Sequence, residues 1–230
     1  MKHFTTVFKE NKSIFLEFAL IFAFFILPPL IQGPSVGGKI SIAGGGKLSA
    51  SIFVQLILTA LLLLQNKFKP ILPVEKKGSP LILFLMWTPI CLGLCMISQA
   101  AVTGISMAIK IDAGGGYIFP ASAAGWAIYF VNLAIGVVYE ETIYRLFLPD
   151  TMILLAGEKK SLRITLEAIC VAVFAFSHRY LGAMALVNAA ICGTALRFGK
   201  IKSGRIYAPM AAHLLYNIFQ TIILYLLVKP

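Results

Sequence analysis

Acidic side chains are scarce in this chain, with nine Asp and Glu against twenty Lys and Arg in 230 residues. Charge of either sign is also scarce, at 13% of residues, against ~25% in soluble domains. That shortage excludes an ordinary water-soluble domain. Histidine occurs three times, so chemistry that needs an imidazole must draw on His3, His178 or His213. His3 lies in a charged terminus and reads as solvated. The four cysteines, Cys91, Cys95, Cys170 and Cys192, fall inside apolar runs. Their spacing makes neither a disulfide framework nor a paired CxxC zinc site, and they read as small buried hydrophobes. The HExxH pattern of zinc proteases is missing. No internal repeat and no soluble domain stand out.

What the chain does have is long apolar runs, with 59% hydrophobic residues and a mean hydropathy of +0.89. The net charge is +11, and its basic residues sit in the short gaps between those runs. Nucleic-acid binding would gather them on one soluble face. This scatter instead suits lipid headgroups and the positive-inside rule. The expected fold class is therefore all-α, a polytopic membrane bundle of about seven transmembrane helices. The expected partner is the lipid bilayer, with no nucleic acid.

The runs read as Ser13–Gln32 with a kink at Pro28-Pro29, Ser49–Gln65, Leu81–Ile109, Phe119–Leu148 ended by Pro149-Asp150, 164–178, 182–197 and Ile206–Val228. The first is longer than the ~7–15-residue core of a signal peptide, so it reads as an uncleaved span. Lysine-rich gaps fall on alternate sides and put the N-terminus, 66–79, 151–163 and 197–205 in the cytoplasm of a multi-pass cell-membrane protein. The 164–178 and 182–197 runs are short of the ~30 Å hydrocarbon core. They suggest a hairpin whose turn, with His178, lies within the membrane. Gly44-Gly45-Gly46 and Gly114-Gly115-Gly116 read as flexible connectors.

One stretch organises the whole: Glu140-Glu141-Thr142-Ile143-Tyr144-Arg145 puts three charges inside an apolar run. Ionisable residues in hydrocarbon are costly and mark function by default. Each helical residue turns ~100°, so the two acids face differently. Glu141 and Arg145, four apart with the acid first, form an ion pair that reads as a packing clamp. Glu140 has no cation at pairing distance in its own helix and is left for chemistry.

Three further polar features accompany it. Phe174 and His178 share a helical face, as do His213 and Asn217; Asn188 reads as an interhelical hydrogen bond. Ala185, Ala189 and Gly193 form a small-residue seam for close helix packing. Depth counting from the lysine-rich side brings Glu140, His178 and His213 to one level, in a polar cavity opening to the cytoplasm. Such a set can hydrolyse an acyl bond. Glu140 acts as general base on water, His178 holds that water, and His213 with Asn217 donates to the oxyanion. The rival chemistry is a His₂Glu zinc of Glu140, His178 and His213 with Glu141 as base. No cofactor is favoured, and zinc is the one cofactor these residues could hold.

These motifs, EExxxR, FxxxH and HxxxN in order on successive spans, resemble the CPBP (Abi) family. That family comprises the intramembrane proteases of the type II CAAX prenyl endopeptidases and bacteriocin-processing relatives. The resemblance covers residues 119–225 as the catalytic domain and leaves 1–118 as additional N-terminal helices. It implies an all-helical membrane fold with a conical cavity open to the cytoplasm. It implies catalysis by Glu140, His178, His213 and Asn217, supported by Glu141, Arg145 and Phe174. The implied substrate is a peptide or lipidated peptide, either a prenylated CAAX-type sequence or a leader or signalling peptide. The competing expectation is a non-catalytic bacteriocin-immunity or secretion-accessory protein of the same fold. A small transporter ranks last, because repeated halves with interrupted helices are not apparent.

Overall fold

The structure, a computed structural model, describes residues 11–32, 40–41, 49–72, 78–110, 117–157 and 159–228. Among them the chain is helical almost throughout. The elements are α1 (Lys12–Ile21), a π-turn (Phe22–Ile26), α2 (Leu27–Ile31), α3 (Ala50–Phe68), α4 (Pro80–Ala108) and α5 (Ala123–Glu141). A second π-turn (Thr142–Phe147) leads into α6 (Leu148–Ala156), followed by α7 (Lys160–Ser177), a 3₁₀ turn (Arg179–Leu181), α8 (Ala183–Ser203) and α9 (Tyr207–Val228). Two residues each of β1 (Ile40–Ser41) and β2 (Tyr117–Ile118) pair in parallel, Ile40 opposite Tyr117. Both triple-glycine segments lie outside the described residues.

Among the described residues, six helices are long and apolar enough to cross a membrane: Lys12–Ile31, Ala50–Phe68, Pro80–Ala108, Ala123–Leu154, Ala183–Ser203 and Tyr207–Leu227. The protein is thus an all-α polytopic membrane bundle. The expected seventh span is α7, a full helix of 18 residues. It is not among the six, because Lys160, Arg163 and Glu167 occupy its first half. Large apolar side chains such as Phe24, Ile57, Ile97 and Leu226 are exposed around the bundle, as a lipid-facing surface requires.

Prolines act differently from expectation at two places. Pro28 and Pro29 lie inside a helix that the preceding π-turn carries through. Pro149 does not end the fourth span; the helix runs on to Ala156. A proline has no N–H for the carbonyl four residues back and crowds it. Here that carbonyl belongs to Arg145. The π-turn before Pro149 reshapes the backbone, and Arg197 Nη1 supplies the missing donor at 2.7 Å. The turn comes instead at Gly157, whose φ of +58° and ψ of −134° suit glycine alone. Arg163 Nε closes it by donating to the Gly157 carbonyl at 2.6 Å.

α4 packs between α8 and α9 at close range. Cys91 and Cys95 of α4 are fully buried against Cys192 and Leu196 of α8 and Ala212 and Tyr216 of α9. All four cysteines are free and buried. The approach depends on Gly199: a Cβ there would stand 2.3 Å from Cys91 Sγ. Overpacking of this kind costs about 1–3 kcal/mol. Gly199→Ala should lower the thermal midpoint of the detergent-solubilised protein, and adding Cys91→Ala should restore most of the loss.

Candidate active site

Glu140 and Glu141 end α5, and the helical turn between them sends them into different surroundings. Glu141 and Arg145 are buried completely, 0% and 1% exposed. Arg145 Nη2 stands 3.4 Å from Glu141 Oε1, which is the expected pair. The same Oε1 also accepts a 2.9 Å hydrogen bond from His213 Nδ1. The sequence reading did not contain this link between the clamp and the second histidine. Glu141 Oε2 and Arg145 Nε have no hydrogen-bond partner among the described residues.

Phe174 holds the Arg145 side. Its ring lies 3.9 Å under the Arg145 guanidinium, a cation–π contact that replaces part of the lost hydration. The ring also packs against His178 at 4.6 Å, Tyr144 at 5.3 Å and His213 at 6.4 Å between centroids. Gly193 makes room for it, since a Cβ at that position would sit 2.9 Å from Phe174 Cδ1. Here the small-residue seam of α8 serves α7.

Glu140 is partly open, with its side chain 32% exposed. Its Oε2 stands 4.0 Å from His178 Nε2 and 3.9 Å from His213 Nε2. The ring orientations follow from the other nitrogen. His178 Nδ1 lies 2.9 Å from the Phe174 carbonyl, and His213 Nδ1 meets a carboxylate. Both partners accept, so both Nδ1 atoms carry the hydrogen. Both Nε2 atoms are left for the space beside Glu140. Gaps of about 4 Å fit a water bonded at ~2.8 Å to each side. A tetrahedral zinc with ligands at ~2.0–2.1 Å needs ligand atoms about 3.3 Å apart. Among the described residues no group of three His, Cys, Asp or Glu side chains is arranged to hold a metal. As placed, Glu140, His178 and His213 do not fit zinc.

These groups lie at the inner end of a cavity of about 860 Å³. Asn217 also lines it. Its backbone carbonyl accepts from Thr221 Oγ1 at 2.8 Å, and it stands one turn beyond His213. Asn188 proves to be an interhelical junction as well as a lining residue. Its Nδ2 donates to Gln99 Oε1 at 2.9 Å and to Tyr216 Oη at 2.7 Å, while Oδ1 accepts from Ser98 at 2.7 Å. Tyr216 also donates to Gln99 at 2.9 Å. Ser98, Gln99 and Tyr216 carried no signal beyond being polar in apolar spans.

The lining of the cavity extends well past these groups. It runs along α4 from Gln99 to Met107 and ends among Met107, Tyr117 and Tyr180. Met107 there is 74% exposed. The lysine-rich ends of the helices contribute nothing beyond Leu196. Depth counting put Glu140, His178 and His213 at one level, and they do meet, but it ended the fourth span at Leu148. The helix runs to Ala156, sixteen residues or ~24 Å beyond Glu140. In the turn after His178, the half-buried Arg179 donates to the carbonyl of Gln32, which ends the first span, at 2.8 Å.

A second ionic cluster escaped the sequence reading. Arg197 makes a bidentate contact with Glu167 through Nε at 2.7 Å and Nη2 at 2.5 Å, and lies 3.9 Å from Asp150. Lys200 donates to Asp150 at 2.9 Å. Glu167 and Arg197, each a lone charge at or inside an apolar run, could have been paired on cost alone.

Fold and site together define a polytopic helical membrane protein with two carboxylates and two imidazoles at the closed end of a cavity. Residues 122–219 match the family model described as type II CAAX prenyl endopeptidase Rce1-like. The match supports assigning this segment to the CPBP, or CAAX-protease, family and supports a CAAX-type intramembrane endopeptidase. No curated protein and no solved structure matches the chain.

The two acids should separate cleanly on substitution. Breaking a buried ion pair costs about 3–5 kcal/mol, so Glu141→Gln should lower the amount of folded protein and its thermal midpoint. Glu140→Gln should leave both near those of the parent, as fluorescence-detected size exclusion and a melting curve in detergent will register.

Proposed function

We propose that this protein is a glutamate-type intramembrane endopeptidase. The observation that carries the reading is the half-open Glu140 carboxylate with an Nε2 about 4 Å away on each side. A water bridging Glu140 Oε2 and His178 Nε2 is held by two acceptors. As Glu140 takes its proton, the oxygen attacks the carbonyl carbon of the scissile peptide bond.

The carbonyl oxygen then becomes an oxyanion that needs donors. Asn217 offers its amide N–H. His213 can donate from Nε2 only as imidazolium, because Nδ1 is already committed to Glu141. That form suits the local charge: two carboxylates face one guanidinium, and a second cation balances them. When the tetrahedral intermediate collapses, the C–N bond breaks and Glu140 returns its proton to the leaving amine. A general base contributes about 10²–10⁴ in rate, and each oxyanion donor about 10²–10³.

The substrate class is a CAAX-type, leader or signalling peptide whose cut region enters the cavity. The protein sits in the cell membrane with the N-terminus in the cytoplasm, as the alternating lysine-rich gaps indicate.

Glu140→Ala and His178→Ala should abolish cleavage while the protein still accumulates. Asn217→Ala should lower kcat about 10²–10³-fold with KM little changed. Chelator-treated enzyme should keep its activity on a panel of lipidated and unlipidated peptides. Cleavage by both alanine variants, or loss with the chelator and return with zinc, would overturn the mechanism.

A further inference from the structure

We infer that Arg197 is a positioning residue for the site: by capping the Arg145 carbonyl it fixes the π-turn that places both imidazoles beside Glu140. The inference rests on the protease reading only where it predicts turnover; the positioning stands on the contacts themselves.

Pro149 lacks the N–H that would reach the Arg145 carbonyl, four residues back. Arg145 sits in the π-turn Thr142–Phe147, between the two acids and that proline. One-turn π segments of this kind recur at functional sites. A buried carbonyl without a donor is costly, and inside a membrane bundle the donor has to come from protein. Arg197 of α8 supplies it, with Nη1 donating to the Arg145 carbonyl at 2.7 Å. Its other two nitrogens are held by Glu167 of α7, Nε at 2.7 Å and Nη2 at 2.5 Å. Arg197 is 5% exposed. Its rigid fork gives two nitrogens to Glu167 and keeps a third for the carbonyl, whereas a lysine has one nitrogen to share.

Arg145 in turn reaches both imidazoles. Its Nη2 stands 3.4 Å from Glu141 Oε1, which accepts from His213 Nδ1 at 2.9 Å. Its guanidinium lies 3.9 Å from the Phe174 ring, and that ring packs on His178 at 4.6 Å. A displaced Arg145 backbone therefore moves the support of both rings. Glu140 Oε2 stands 4.0 Å from His178 Nε2 and 3.9 Å from His213 Nε2. A misplacement of about 1 Å in such a set can cost about 10²-fold in rate. Asp150 and Lys200 are separable from this role. They pair with each other at 2.9 Å, and Arg197 Nη1 is 3.9 Å from Asp150, so that pair survives the loss of Arg197.

The test is a double-mutant cycle in the full chain. Arg197→Met with Glu167→Leu removes the ion pair as a unit and fills its volume, a change that buried pairs tolerate. It also takes the donor from the Arg145 carbonyl. Pro149→Ala gives that carbonyl an N–H from its own helix. In the parent chain the paired change should lower kcat about 10²-fold with KM little changed, on a panel peptide whose cleavage depends on Glu140. In the Pro149→Ala background the same change should leave kcat nearly unaltered. Glu167→Gln alone keeps Arg197 on the carbonyl and should keep the parent's kcat. Arg197→Lys is the milder second variant, run through the same cycle if the paired change does not accumulate. The ring resonances of His178 and His213 are followed in histidine-labelled protein in detergent and assigned with His178→Gln and His213→Gln. They should move with the paired change in the parent chain and stay in place in the Pro149→Ala background.

An equal loss of kcat in both backgrounds, or none in either, overturns the inference and leaves the protease standing. If the parent itself shows no Glu140-dependent cleavage, the protease reading falls and the resonances decide. Ring displacement that Pro149→Ala prevents supports the inference; displacement in both backgrounds, or in neither, overturns it.

Discussion

A single buried carboxylate oxygen, Glu141 Oε1, receives both the Arg145 guanidinium and the His213 imidazole. Stranding an unpaired charge in a bundle surrounded by hydrocarbon costs several kcal/mol. So these three side chains must be placed together or not at all. That requirement fixes the rotation of α5 and brings α9 to it. It also fixes the His213 ring, because Nδ1 on Glu141 turns Nε2 towards Glu140. The arrangement of Glu140 beside His213 is a by-product of satisfying a buried acid.

The second support is Phe174. Its ring takes the Arg145 cation on one face and holds His178 beside it. The His178 Nδ1 then meets the carbonyl of Phe174 itself, so one residue positions the imidazole through both its ring and its backbone. This contact works only because Gly193 lets α8 approach to within the radius of a methyl group. A packing rule about small residues thus reaches the proton chemistry through one intermediate side chain.

Much of this was legible in the residues. The 3.6-residue period made Glu141 and Arg145 partners and separated Glu140 from both, and the same period paired Phe174 with His178. The cost of polar groups in lipid singled out His213, Asn217 and Asn188. What the sequence could not show was pairing between helices. Nothing in its spacing says that His213 meets Glu141, or that Arg197 caps the carbonyl beneath Pro149. A proline read by local rules ends a helix; a donor from another helix removed that consequence.

Adjacent acids with opposite fates give the site its division of labour. One helical step separates a carboxylate with 0% exposure from one whose side chain is 32% exposed. The first is held by a cation it cannot leave, so its charge is constant and can serve as a fixed field for His213. The second faces its two imidazoles across gaps of 4.0 and 3.9 Å and is the acid to which the proposed mechanism gives the proton transfer. If the two were swapped by a single-residue slip of α5, the base would be locked against Arg145 and the field would face the cavity. The i,i+4 order Glu141–Arg145 guards against that slip. Glu140 instead meets the two imidazoles, with Oε2 4.0 Å from His178 Nε2 and 3.9 Å from His213 Nε2. The register of α5 is thereby set by the buried acid, Glu141, and not by the half-open one.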